Sequence, residues 1–485
     1  MTDPNTESTW ATLGGDPSLG SRVSAVVREG TLPARLPVRE LARTCVAVCA
    51  LAGAELTARR TGGGVPAVEV DDGAVAAAFR SERQLLVDGR APVTFAPLSR
   101  FWRTADGWVR THANYPHHRS RLLGVLGLAP DASAEAVAAR IATRASLDVE
   151  ESVYAAGGLT VALRTPTEWA AHEQARELAA RPLVERERLD GAPARRLAPL
   201  PGSGSGNASG GMPGSAPGSP LLPASGLRVL DLTRVISGPV ATRTLALLGA
   251  DVLRVDSPLL PELPDQHADL DFGKRSTTLD LTARADHRTF GELLAGADVV
   301  VTGYRPGALD RFGLTPGALA ERRPGLVVAQ VSAWGAYGPW GGRRGFDSLV
   351  QVATGIAVAE GSPQEPGALP AQALDHGSGY LMAAAVLRAL TDQAEEGGTR
   401  LVRLALARTA AWLTGGSAQA AAVAPDGPRE TAAYDGPGPW LTETKSELGL
   451  LRHALPPVRF AGGPLNWACP PGPWGGDAAR WTSSP

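Results

Sequence analysis

Residues 371–390 read AQALDHGSGYLMAAAVLRAL, with one acidic side chain, Asp375, ahead of two glycines and an otherwise apolar helical run. Two kinds of chemistry suit it. An aspartate at a helix start can accept hydrogen bonds from the unpaired first-turn amides, which is capping. The same helix mouth, with Gly377 and Gly379 beside it, lets a ligand approach closely and favours negative charge, which suits a nucleophile. A carboxylate with an ordinary pKa of about 3.9 is ionised at neutral pH and needs no general base. The spacing predicts a glycine turn and a helix beginning near Ser378.

Other candidate groups are weaker. HANYPHHR (112–119) holds three of the eight histidines, but His112 and His117 are five apart and interrupted by Pro116. That spacing is not a helical metal pair, so the segment is expected on a small-domain surface near the acyl pocket and no metal ligands are assigned. Cys45 and Cys49 lie four apart on one face of an apolar helix, where buried thiols act as small hydrophobes. With Cys469 they make no disulfide framework.

A formal charge of −2, with no basic tract interleaved with aromatics, speaks against a nucleic-acid partner. The N-terminus MTDPNTESTW lacks a basic region followed by an apolar run, and no uninterrupted apolar run reaches about 18 residues. The expectation is a cytoplasmic protein without a membrane partner.

The elements that must position Asp375 are readable as α/β. After PLPGSGSGNASGGMPGSAPGSPLLPASG (199–226), strand-like runs LRVLDLT, DVLRVD, STTLDLT, DVVVTGY and PGLVVAQVS alternate with helical segments. That alternation predicts a parallel, doubly wound, Rossmann-like sheet with a smaller α+β domain. The expected divisions are 20–196, a Gly/Ser/Pro linker at 197–226, the large domain at 227–415 and a returning tail at 416–485. An internal echo links the halves. VRELARTCVAVCALAGAELTARR, then TGGG, then a strand, repeats the order of the helix after Asp375, GG and RLVRLAL. Laying Gly62 on Gly397 sets Glu40 opposite Asp375; without flanking glycines, Glu40 reads as a solvent-facing helix residue.

RVISGPVATRTLALLGADVLRVD, GKRSTTLDL, DVVVTGYRPGALDRFGL, the GPW…RGFDSLVQVATG run and ALDHGSGYL follow one another in an order that resembles the class III CoA-transferases. WRTADGWVRTHANYPHHRSRLLGVLG and RTPTEWAAHEQARELAARPLVERERL resemble that family's small domain, which normally comes later. Segments therefore look reordered, or two truncated copies look fused. The resemblance implies an acyl-CoA substrate and a carboxylic acid acceptor, no permanently bound cofactor, and a homodimer. It implies Asp375 as the nucleophile, forming an aspartyl anhydride and then an aspartyl-CoA thioester. For CoA it points to Ile236 and Ser237 in the first strand-to-helix turn, Arg275 and Leu279 at the adenine end, Gly303 and Tyr304 beside the adenine, and Arg311 for phosphate. Ile236 and Gly303 stand where the family often has glutamine and asparagine, and its glycine-rich active-site loop has no evident counterpart. A racemase branch of the same fold uses a histidine where this chain has Phe346, which favours transfer, while His376 beside Asp375 keeps an acyl-CoA racemase or isomerase as the alternative, with a catalytically degenerate relative that binds CoA esters as the other.

Overall fold

The computed structural model describes residues 4–200, 219–420 and 431–482. The middle of the Gly/Ser/Pro segment, 201–218, lies outside the described residues. Its described ends are packed: Leu200 is buried and donates its amide to Arg60, while Leu221 and Ala224 donate theirs to Gly462 and Leu248.

Elements used below are α1 (Val38–Thr61), β1 (Glu185–Arg188), β2 (Arg228–Leu232), α2 (Ser237–Leu247), β3 (Asp251–Asp256), β4 (Arg275–Thr278), β5 (Val299–Thr302), β6 (Val327–Ser332), α3 (Asp347–Ala353), α4 (Ala373–Glu396) and β7 (Arg400–Ala405). The strands form a seven-stranded sheet in the order β4-β3-β2-β5-β6-β7-β1. Six strands are mutually parallel and β1 runs antiparallel on β7. Short Val- and Leu-rich runs make the parallel strands, as expected of strands covered on both faces. Chain order reverses between β2 and β5, and in open α/β sheets ligands sit outside the carboxyl ends of the strands at such a point.

β1 comes from the sequence ERER, which carries no apolar pattern, so it was not expected as a strand. It pairs with β7 from Arg400↔Arg188 to Arg403↔Glu185, and an edge position tolerates its charges. The N-terminal segment thus completes the large sheet. A second body, the antiparallel sheet of Phe101–Arg103, Trp108–Thr111 and Thr160–Ala162, closes over its own core of Trp102, Val109, Leu122, Ile141 and Val149.

α1 and α4 are each 24 residues long and start and stop in step under the Gly62–Gly397 alignment. They pack along one another, and α2 lies on α4 as well. Burial on nearly every side explains why both are apolar all round; α1 has the length and composition of a membrane span, yet that window is wholly buried within the molecule. Close approach needs glycine. A Cβ on Gly379 would stand 2.6 Å from the Ser237 carbonyl oxygen and 2.7 Å from Val240 Cβ; one on Gly377 would stand 3.0 Å from Leu41 Cδ2. These glycines lie inside α4, not in a turn, because helix packing rather than chain reversal requires them.

Gly379→Ala should therefore destabilise by about 1–3 kcal/mol through overpacking. Gly124→Ala, at an exposed helical position with nothing within 4 Å of the new Cβ, should stabilise by about 0.5–1 kcal/mol. Urea midpoints at unchanged slope check both.

Candidate active site

α4 begins at Ala373, and its N-cap residue Gln372 makes no side-chain capping bond. The capping acceptor is Asp347, the first residue of α3. Its Oδ2 accepts the Leu374 and Asp375 amides, each at 2.9 Å. Its Oδ1 accepts Gln351 Nε2 at 2.5 Å, and Gln351 Oε1 in turn accepts the Leu369 amide. Asp375 lies one turn further in than the spacing suggested, and its carboxylate accepts no hydrogen bond among the described residues. Capping therefore falls to Asp347, and the Asp375 carboxylate is left without a capping bond.

Asp375 is 6% exposed and faces a cavity of about 50 Å³. Burial, then the charges of Asp347 and Glu82, push its pKa well above the ordinary carboxyl value. The simple expectation of an ordinary carboxylate pKa gives way to one raised by burial and by its acidic neighbours. Asp347 is raised less, to about 6, because burial is opposed by its three hydrogen-bond donors. Glu82 reaches the cavity from the N-terminal segment and meets His376 Nε2 at 3.2 Å. Burial pushes its pKa up, but the His376 hydrogen bond and charge outweigh that and leave it lowered.

On the facing side, His112 stacks on Phe346 with ring centroids 3.8 Å apart and planes 13° from parallel. Burial, helped by the Arg110 charge, lowers its pKa to about 3. His112 and His118 are buried rather than on the small-domain surface, because their segment is wedged between the two bodies. Glu40 is half-buried and pairs with Arg39 at 3.0 Å.

The CoA candidates divide into groups. Ile236 lines the Asp375 cavity and Ser237 opens α2 beside it, with its buried hydroxyl unpartnered among the described residues. Val235 precedes them at φ 69°, a left-handed conformation that strains a β-branched residue and is typical of functional turns. Gly303 and Tyr304 follow β5 on the other side of the chain reversal, and Tyr304 lines a cavity of about 210 Å³ there. Leu279 is buried just past the carboxyl end of β4, and Arg311 is exposed, its guanidinium 4.6 Å from the centre of the Phe312 ring. Arg275 stands at the opposite, amino end of β4, committed to Asp251 at 2.7 Å and to the Arg480 carbonyl.

Several contributors escaped the sequence. Asp347 sits inside the RGFDSLVQVATG run but carried no sign of capping another helix. Glu82 is brought in from more than 200 residues away. Glu262, in SPLLPELPDQ, accepts Tyr115, Arg234 and Arg254 and ties the small domain to the strained turn. Burial opposes its charge, yet the arginines lower its pKa to about 2.

Residues 224–437 match the sequence profile of CoA-transferase family III. The chain is 36% identical over 206 residues to the acetyl-coenzyme A transferase nodX of Hypoxylon pulicicidum, covering 41% of this chain and 35% of that protein. A probable fatty acyl-CoA transferase of Mycobacterium tuberculosis is 36% identical over 212 residues, covering 40% and 52%. An acyl-CoA transferase of Gibberella moniliformis is 30% identical over 324 residues, covering 61% and 53%. The chain thus spans roughly half or less of each relative's length. A crystal structure of a hypothetical protein from M. tuberculosis aligns with 34% identity over 41% of this chain and 58% of that one, at a TM-score of 0.39.

The buried Asp375 carboxyl makes a prediction about stability. A folded pKa raised above the unfolded value of about 3.9 favours the native state only at low pH, and that contribution is lost as pH rises through the folded pKa. Asp375→Asn should leave the melting temperature near wild type at pH 4 and raise it progressively towards pH 8. Parallel melts across that range check the sign.

Proposed function

We propose that the protein transfers coenzyme A from an acyl-CoA to a carboxylic acid, with Asp375 as the nucleophile of a Rossmann-like large domain. The observation that carries this reading is the division of labour at α4: Asp347 takes the helix amides and leaves the Asp375 carboxylate unbonded in a cavity.

The Asp375 carboxylate attacks the thioester carbonyl, the C–S bond breaks, and CoA leaves as thiolate with an aspartyl–acyl anhydride formed. The thiolate attacks the aspartyl carbonyl of that anhydride and releases the donor acid as carboxylate, leaving an aspartyl-CoA thioester. The acceptor carboxylate displaces the thiolate to form a second anhydride. Thiolate attack on the acceptor's carbonyl then yields the new acyl-CoA and frees Asp375. One exchange is split into easier ones, with no water and no net proton change. A raised pKa makes the ionised carboxylate a stronger nucleophile while shrinking the fraction ionised at low pH.

In this reading Ile236, Ser237, Gly303 and Tyr304 hold CoA around the chain reversal, with Leu279 near the adenine and Arg311 available to phosphate as a bidentate fork. Arg275, bound to Asp251 and the tail, braces the β4 edge. The same proposal includes a homodimer, to be checked by sedimentation, and a cytoplasmic setting. Racemisation is disfavoured. The histidine stacked on Phe346 has a pKa of about 3, too low for a base that must take a proton α to a thioester.

Chromatographic assay of CoA exchange across a panel of acyl-CoA donors and carboxylic acids tests the reading. Asp375→Ala should lower the rate by at least about a thousandfold, and wild-type kcat/KM should fall on acidification at a pH above the usual carboxylate range, because burial and the neighbouring carboxylates raise the Asp375 pKa. Exchange by Asp375→Ala at wild-type rates would end it.

A further inference from the structure

A second cavity, of about 60 Å³, shares a wall with the Asp375 cavity through Arg83, Phe95, Ser348 and Gln372. Arg110 enters it from the middle of the strand Trp108–Thr111. Alternation along that strand sends Val109 and Thr111 into the small-domain core and Arg110 to the opposite face, towards α3. Its guanidinium lies between the rings of Phe95 and Phe101, 5.1 and 4.9 Å from their centres.

Among the described residues that guanidinium has no hydrogen bond and no ion pair, and its Nε is shut off from solvent. Aromatic faces attract a cation but accept few of its five N–H bonds. Ser348 Oγ, on the shared wall, is also buried without a partner. Arg83 adds a second cation to both cavities, held by the Pro370 carbonyl at 3.1 Å. A half-buried cation whose Nε is shut off from solvent and a buried hydroxyl, both unpaired on one cavity, cost stability unless a ligand satisfies them. Burial is severe enough to lower the Arg110 pKa to about 10. The nearby charge of Asp347 only partly offsets it.

Resting on the transfer reading, we propose that Arg110, with Arg83 and Ser348, forms an anion subsite beside Asp375. It receives a second carboxylate at the far end of the acyl group, so the acids exchanged are dicarboxylic. The planar guanidinium fork suits a carboxylate in bidentate fashion, and the two phenylalanines exclude water around the pair.

The test uses the full chain with matched acceptors, succinate against butyrate and glutarate against valerate, over the same panel of acyl-CoA donors. The expected result is a kcat/KM preference for the dicarboxylate of about 100-fold, which Arg110→Met reduces to within about threefold of unity through KM, while Arg110→Lys keeps part of it. A binding readout stands apart from catalysis. Succinate or glutarate should raise the melting temperature of the wild-type protein and not of Arg110→Met. Binding without exchange of any acid would sink the transfer reading and leave the subsite standing. A wild-type ratio near one, a ratio that Arg110→Met leaves unchanged, or no thermal shift with either diacid would overturn the subsite.

Discussion

The two hydrogen bonds from the Leu374 and Asp375 amides to Asp347 are the contact on which the site depends. A helix start buried inside a protein must satisfy its orphan amides. Had Asp375 done so itself, its carboxylate would have been tied down and held at low pKa by N–H donors. Asp347 takes that role from the start of a different helix and is locked in place by Gln351. The remaining carboxylate is left in a buried cavity beside two others, which raises its pKa, and no capping bond ties it down. Helix capping and nucleophilicity are competing uses of one functional group, and the fold separates them.

That separation relies on tight packing behind it. Gly377 and Gly379 bring α4 against α1 and α2, so the first turn of α4 cannot swing away from Asp347. α1 comes from the N-terminal segment, as do Glu82, Arg110 and His112, so residues far apart in sequence build one site. The same segment supplies the edge strand β1 and, through Tyr115, a bond to Glu262. In-step α1 and α4 fit the internal echo in the sequence. Glu40 lacks the glycines and the capping aspartate of its counterpart, and it is spent on Arg39.

The parallel sheet was legible because all its strands but β4, which reads RSTT, are short Val/Leu-rich runs alternating with helical segments. Asp375 was legible for its isolation in an apolar run. The helix start was misplaced because Gly377 and Gly379 were read as chain-reversing residues, whereas they serve interhelical contact, which depends on a neighbour no local pattern reveals. β1 was missed because ERER has no alternation and is placed by the edge it completes. Asp347, Glu82 and Arg110 were missed for a related reason: their roles are set by tertiary contacts with segments far away in the chain. The ordinary carboxylate pKa failed because burial and like charges are properties of the assembled site.

Intact-protein mass spectrometry after incubation with acyl-CoA esters and hydroxylamine tests the central claim most directly. The account predicts an acyl- or CoA-dependent adduct that converts to a hydroxamate at Asp375, is absent from Asp375→Ala, and is weakened in Asp347→Ala, where the helix amides lose their acceptor. A folded wild-type protein that turns over acyl-CoA without labelling Asp375, or that is labelled at another carboxylate, would contradict it.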